Sequence, residues 1–148
     1  MITRLGTWRG LAVLAAAAAL AACGDDHHDQ RLAAAGPRPD LAALLRVASV
    51  SAGERRFAAC AGCHNIRPGG EDLGGPNLYG VYGRAVASRP GYAYSAGLKG
   101  LGGRWDAAML DRWLKAPRAL VPGTVMGFEG EADPLARADL IAYLQSLH

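Results

Sequence analysis

The chain is short of cysteine, phenylalanine and lysine. Its 148 residues include three cysteines and two phenylalanines, and its two lysines are Lys99 and Lys115. Three cysteines are too few for the dense disulfide framework of a small secreted domain. The basic residues form no stripe or cluster, so the composition argues against a nucleic-acid partner.

A long apolar run is also lacking. The longest, residues 11–22, is shorter than the about 20 residues that span a bilayer, and it follows Arg4 and Arg9 as in an export signal. It ends in Leu-Ala-Ala-Cys-Gly, which resembles the lipobox of bacterial lipoproteins. By that resemblance residues 1–22 are a signal peptide and Cys23 is the lipidated N-terminus; the alternative is ordinary cleavage beside a bystander cysteine. Removing residues 1–22 lowers the formal charge from +3 to +1.

Residues 23–48 are predicted to be a lipid anchor followed by a flexible linker. Residues 24–38 are rich in polar residues and include Pro37, with Pro39 just after them, a composition typical of a solvated tether. The aspartate and histidine cluster at 25–29 is interpreted as part of this charged linker rather than as a metal site. Residues 40–48 predict a short helical turn that leads into a domain of residues 49–148.

Cys60, Cys63 and His64 form the motif CxxCH, the attachment sequence of c-type haem. Residues three and four apart share one face of a helix, so both thiols and the imidazole converge, toward the haem vinyl groups and the iron. A thioredoxin-like CxxC would accompany a βαβ pattern, a zinc site would need four ligands, and a simple disulfide would not explain His64. The motif therefore favours covalent haem.

Helix signals are found on both sides of this motif. Ser51 and Glu54 predict a capping box at the start of the helix that delivers it. Residues 106–115 are periodic and stop before a proline. Asp133 followed by Pro134 predicts the start of a last helix.

The stretch from residue 69 to residue 103 is rich in glycine and has little periodicity. It contains no GxxxxGK[ST] phosphate loop, and neither a repeat nor a strand pattern is evident. Loops wrapped around a flat cofactor explain it better. A domain of about 100 residues has a thin core, which a haem would complete.

The second axial ligand is sought among three methionines. Met1 leaves with the signal peptide, and Met109 lies inside an amphipathic helix, where core packing is expected. Met126 lies in a loop bent by proline and glycine and is the preferred candidate, since His/Met ligation raises the reduction potential. The remaining candidates lie in the linker or at the terminus: His27, His28 and His148.

From residue 51 to residue 147 the chain resembles a class I cytochrome c of the mitochondrial and α-proteobacterial type. Gly53 and Phe57 match the family's Gly-x-x-x-aromatic pattern in the first helix. Leu140 and Tyr143 match the other side of the helix crossing. The resemblance implies an all-α fold, with three to five helices and long glycine-rich loops wrapped around one covalent haem c held by Cys60 and Cys63.

The resemblance also implies roles for further residues. The carbonyl of Pro76 accepts the N–H of the His64 ring, Met126 is the axial ligand and Phe128 covers the exposed haem edge. Hydrogen-bond partners of the haem propionates are implied at Arg84, Tyr92, Tyr94, Trp105 and Thr124. Composition alone would place the aromatic members of this set in the core; the resemblance favours the propionates.

These ligands imply a one-electron carrier and not an enzyme, because iron with two strong protein ligands has no vacancy for a small-molecule substrate. The expected partners are redox proteins, namely quinol:cytochrome c reductase and a terminal oxidase, reached in the periplasm from a membrane anchor at Cys23. One alternative is the dedicated electron acceptor of an exported dehydrogenase. Another is a haem peroxidase or sensor, if Met126 dissociates readily.

Two departures from the family pattern carry further expectations. Trp113 stands where a tyrosine is common and Leu98 replaces a polar residue, which predicts a drier distal side and a shifted reduction potential. In mitochondrial relatives, lysines surround the haem edge. Among the matching positions of this chain, Arg118 is the exception that keeps a positive charge. The matching positions hold Glu54, Ala119, Val125 and Asp133, so weaker electrostatic steering is expected, with tethering as compensation.

Overall fold

The structure, a computed structural model, describes residues 27–148, so the predicted signal peptide and Cys23 lie outside the described residues. The described part of the chain contains seven helices: α1 His28–Ala35, α2 Leu41–Val47, α3 Val50–Phe57, α4 Ala96–Leu101, α5 Ala107–Lys115, α6 Pro117–Leu120 and α7 Pro134–Ser146. Five of them lie within residues 49–148. The only β pairing from residue 27 onward is an isolated antiparallel bridge between Ala85 and Arg104. None of these helices is long and apolar enough to cross a membrane.

The core forms where α3 crosses α7. Gly53 lies at the contact, and a Cβ on it would meet the carbonyl of Asp139 and approach within 2.7 Å of the Tyr143 Cβ. The rings of Phe57 and Tyr143 pack 5.5 Å apart. Further buried residues of α5 and α7 complete this core: Leu110, Trp113, Leu114, Leu140, Ile141 and Leu144.

Side chains cap the helices that enclose the core. Asp106 accepts the backbone N–H of Met109 at 2.8 Å at the start of α5. Asp133 accepts the N–H of Leu135 at 2.9 Å, with a proline in the first turn of α7. Both starts agree with the sequence-based expectation, because each cap depends only on residues within one turn.

The predicted cap of α3 is wrong by two residues. The N-cap is Ser49, whose hydroxyl accepts the N–H of Ala52 at 3.2 Å, while Ser51 lies inside the first turn. The backbone N–H of Ser49 donates to the carboxylate of Asp139 at 2.8 Å. This contact comes from a helix 90 residues away, so the local capping-box pattern contains no information about it.

The structure places two helices in the segment expected to be a flexible linker. Residues 28–35 and 41–47 are helical, and the buried side chain of Leu44 packs against Leu135 and Ala138 of α7. Asp40 caps α2 by accepting the N–H of Ala43 at 2.7 Å, so the helical turn predicted there is confirmed. The polar residues and prolines of this segment favour a linker, so its composition did not predict that a few apolar residues would pack the segment against α7.

The crossing predicts a specific effect of Gly53→Ala. Its added Cβ would collide with the backbone of α7, so the free energy of unfolding should fall by about 2–3 kcal/mol, the upper part of the range for overpacked cores. Denaturant unfolding of the haem-loaded protein measures it. The matched control is Gly100→Ala in α4, where a Cβ meets nothing within 4 Å; it should change stability by about 1 kcal/mol or less. Equal effects of both substitutions would contradict the close crossing.

Candidate functional site

A cavity of about 660 Å³ lies beside the core, within the size range of cofactor sites. Its walls come from the end of α3, the glycine-rich loops, α5, α7 and the loop at 124–130. All eleven candidate site residues named from the sequence line it: Cys60, Cys63, His64, Pro76, Arg84, Tyr92, Tyr94, Trp105, Thr124, Met126 and Phe128. The fold thus gathers residues spread over 69 positions of the chain.

Most of the remaining wall is apolar, and it includes Leu98 and Trp113, which the resemblance placed on the distal side. It is formed by the side chains of Phe57, Val81, Leu98, Leu110, Trp113, Leu114, Leu140 and Leu144. The sequence pattern did not predict that these residues line a cavity. Helix periodicity shows which face points inward but not what that face contacts. Such a wall suits the flat apolar face of a porphyrin.

The CxxCH motif continues from α3 in tight turns. The N–H groups of Cys63 and His64 both donate to the carbonyl of Cys60, at 3.0 and 2.9 Å. Cys60 and Cys63 form no disulfide with each other, and Cys60 is half-buried while Cys63 is exposed. Burial, with a smaller contribution from Cys63, raises the pKa of the Cys60 thiol. The motif therefore places both cysteine side chains in the cavity lining, with that of Cys63 exposed.

His64 is oriented by the backbone. Its Nδ1–H donates to the carbonyl of Pro76 at 2.8 Å, as the resemblance implies. Since a carbonyl can only accept, Nδ1 carries the proton of the neutral ring, and Nε2 is the nitrogen that could bind iron. Gly75 lies against the imidazole, because a Cβ there would come within 2.8 Å of Nδ1 and 2.9 Å of Nε2.

The loop that carries Pro76 is held by buried and half-buried polar groups that the sequence did not indicate. Asn77 is fully buried and donates to the carbonyls of Arg67 and Gly70 at 2.9 and 2.8 Å. Asp72 accepts the N–H of Asn77 at 2.7 Å and the Nε–H of Arg89 at 2.8 Å. Although burial opposes it, these donors lower the pKa of Asp72. This network fixes the proximal wall.

Polar donors gather in another part of the cavity lining. Arg84 donates to the carbonyls of Asn77 at 3.0 Å and Tyr79 at 3.3 Å, and burial lowers its pKa. The rings of Tyr92 and Tyr94 meet edge to face at 4.7 Å, and burial raises the pKa of Tyr94. A guanidinium and phenols in a partly dry wall suit bound carboxylates.

The loop with Met126 closes a further side. The Thr124 hydroxyl accepts the N–H of Met126 at 3.3 Å, and Met126 is half-buried in the lining. By contrast, Met109 does not line the cavity and packs against the core, as expected. The histidines considered as alternative ligands lie away from the lining as well: His27, His28 and His148.

Arg137 anchors the end of this loop, a role the sequence analysis missed. Its Nε donates to Asp111 of α5 at 2.7 Å, and its Nη1 donates to the carbonyls of Glu131 and Ala132, each at 2.9 Å. Arg137 is nonetheless buried. An arginine amid the apolar residues of α7 is the signal that could have revealed it, because a buried charge needs partners.

Comparison with known proteins decides the family. The family model described as Cytochrome c matches residues 50–148. The chain belongs to the cytochrome c family. A cytochrome c homolog from Bradyrhizobium diazoefficiens is 42% identical over 122 residues, which cover 82% of this cytochrome and 66% of that protein. Cytochrome c2 of Rhodomicrobium vannielii is 44% identical over 96 residues, 65% of this cytochrome and 77% of that protein.

A solved structure gives the same result. Cytochrome cH from Methylobacterium extorquens is similar with a TM-score of 0.62 and 43% identity, covering 66% of this cytochrome and 98% of that chain. The all-α cytochrome c fold is thereby confirmed. Members of the family are electron-transfer proteins that carry one haem c bound covalently through cysteines. Cys60 and Cys63 are the only cysteines within the matched residues, and the apolar cavity beside them fits the group.

The tight contact at Gly75 predicts a sensitive position. Gly75→Ala should push the imidazole of His64 off its hydrogen bond to Pro76, which lowers the yield of covalent haem and shifts the absorption of the ferric protein. Visible spectra of the purified protein, normalised to its polypeptide concentration, measure both. The matched control is Gly74→Ala, whose Cβ would make only ordinary contact with the Cys63 Sγ at 3.6 Å. Unchanged spectra in both variants would contradict the packing of Gly75 on the ring.

Proposed function

We propose that this cytochrome is a lipid-anchored, one-electron carrier of the periplasm whose haem iron is held between His64 and Met126. The observation that carries the proposal is that these two side chains, from separate loops, line one cavity, with His64 Nε2 left free by the bond to Pro76. Neutral imidazole and thioether are the ligand pair that raises haem potentials. The bound haem supplies the one-electron couple.

Closed coordination favours transfer over substrate chemistry. His64 and Met126 would hold the iron as its two protein ligands, and the apolar side chains of Leu98, Trp113 and Leu114 in the cavity wall would limit the access of water to it. A dry site reorganises little when the iron changes charge. The protein then serves to bind, orient and insulate the haem.

The polar lining is assigned to the haem propionates. Arg84, Tyr92, Tyr94, Trp105 and Thr124 would hold these carboxylates, and Phe128 would cover the exposed haem edge. Burial of a carboxylate is costly unless donors satisfy it, and these side chains supply a cation, hydroxyls and an indole N–H. Cys60, Gly127 and Phe128 then mark the docking edge.

Membrane-bound respiratory complexes are the proposed partners. Electrons would pass from quinol:cytochrome c reductase to a terminal oxidase, with lipid on Cys23 keeping the carrier at the membrane. The surface near the docking edge supports weak steering, since Val125 is 80% exposed and Arg118 is paired with Glu129 at 3.6 Å. Transient electron-transfer interfaces are small, below about 1,200 Å².

The axial ligand is tested by replacing the methionines one at a time. The ferric protein should show the weak near-infrared absorption of Met-ligated haem, and Met126→Ala should abolish it. The midpoint potential should fall by on the order of 0.1 V, a small part of the about 0.8 V that axial ligands span. Met109→Leu is the matched control and should retain the absorption. If the wild-type protein lacked the near-infrared absorption at neutral pH, His64/Met126 ligation would be overturned.

The partner proposal is tested through salt dependence. The rate of reduction of the anchored cytochrome by quinol:cytochrome c reductase should change by less than about twofold when the Debye length is shortened from about 30 Å to 10 Å. Adding charge with Val125→Lys and Ala119→Lys should make the dependence steep. A steep dependence in the wild type would contradict weak steering. Efficient reduction by an exported dehydrogenase, with none by the reductase, would replace the proposed donor.

A further inference from the structure

The docked arm, residues 27–48, lies outside both the cavity and the family match, which begins at residue 50. It nevertheless makes buried polar contacts with the last helix. No residue of the docked arm lines the haem cavity. The contacts between the docked arm and α7 therefore need an explanation of their own.

The strongest contact is at the middle of α7. Asp139 is fully buried, and Arg31 of the docked arm donates to both of its carboxylate oxygens, from Nη1 at 2.6 Å and from Nη2 at 2.9 Å. The same Nη1 donates to the carbonyl of Val47 at 3.1 Å. Arg56 of α3 also approaches, at 3.7 Å. A fork-to-fork pair of this kind is strong and directional, so α1 is held in one orientation.

A second contact fixes the start of the docked arm. His28 Nε2 lies 2.6 Å from Oδ2 of Asp133, the cap of α7, and His28 Nδ1 lies 3.0 Å from Oδ1 of Asp29. Bonds to Asp29 and Asp133 raise the pKa of His28, against the effect of burial. Burial by itself raises the pKa of Asp133, but the hydrogen bonds from the Leu135 N–H and from His28 lower the pKa below its usual value. The first residues of α1 are therefore paired with the N-terminus of α7.

The docked arm covers the side of α7 that faces away from the haem cavity. Leu44 packs on Leu135 and Ala138, whereas Leu140 and Leu144 line the cavity. Successive residues of a helix turn by about 100°, so positions 135, 138 and 139 lie on one side, and 140 and 144 lie on the other. The two surfaces are separated by the thickness of α7.

We propose that the docked arm mounts the cytochrome on a lipid surface with the back of α7 toward the lipid and the haem cavity away from it. The proposal rests on lipidation of Cys23. Four residue steps from Cys23 to His27 span at most about 14 Å. A free tether of 25 residues to Ala48 would instead reach about 25–30 Å on average and up to about 85 Å when extended. Docking thus shortens the tether from 25 residues to four, and this tether joins the folded protein at His27.

Docking itself is tested by amide hydrogen exchange on the haem-loaded full chain, without membrane. Amides of residues 28–47 should be protected in the wild type. Arg31→Ala should speed their exchange at least tenfold while α5 and α7 stay protected. Because this change removes the main partner of a buried carboxylate, His28→Ala serves as a milder second variant that should loosen residues 28–35. Arg46→Ala, an exposed arginine of α2, is the matched control. Unprotected wild-type amides, or exchange unaffected by both variants, would overturn docking.

The proposed orientation on the lipid surface, called the mount below, is tested on vesicles whose lipids carry a fluorescent headgroup. The haem quenches this fluorescence at short range. The lipidated cytochrome should quench strongly. Twenty Gly/Ser residues inserted between Asp26 and His27 should weaken quenching, and Arg31→Ala should weaken it by a smaller amount. Vesicle binding should slow exchange in residues 28–35 and leave residues 122–130 unchanged.

Three results would overturn the mount: quenching insensitive to the insertion, protection of residues 122–130 by the vesicle, or no binding of the Cys23 form. Failure to bind would also remove the proposed lipid anchor, whereas docking is measured independently without membrane. Cys23→Ser should stay unbound and is the control for lipidation. The two proposals can therefore fail separately.

Discussion

The close crossing of α3 and α7 is the constraint on which the rest of the structure depends. Gly53 lets the two backbones approach until the α7 carbonyl at Asp139 sits where a side chain would otherwise be. This approach aims the end of α3, with Cys60 and His64, at one side of the cavity and sets Leu140 and Leu144 on another. One missing Cβ thus positions both the attachment motif and the apolar wall.

Polar groups then hold parts that have no helix of their own. The loop bearing Pro76 is fixed by Asn77 and Asp72, and the end of the Met126 loop is fixed by Arg137. Each of these groups is wholly or largely buried and bonded to backbone, which is how irregular chain becomes rigid enough to present ligands. Under the proposed His64/Met126 ligation, such loops would hold both ligands in place while the iron changes charge.

Asp139 links this scaffold to the segment before it. Its carboxylate accepts the N–H of Ser49, which orients the start of α3, and it binds both Nη atoms of Arg31 in α1. One buried charge therefore serves two neighbours. The haem domain and the docked arm are connected through the helix that also lines the cavity.

The sequence by itself determined the chemistry and the local geometry. The motif of Cys60, Cys63 and His64, the start of α5 at Asp106 and the cap of α7 at Asp133 follow from residues close together in the chain. The proposal of Met126 over Met109 as iron ligand comes from the same kind of local pattern. Only the tertiary structure decided the cap of α3, the roles of Asn77 and Arg137, and the docking of residues 28–47. These depend on partners 5 to 108 positions away, such as Asp139 for Arg31. Burial makes such contacts strong, and local patterns contain no record of which distant groups will be buried together.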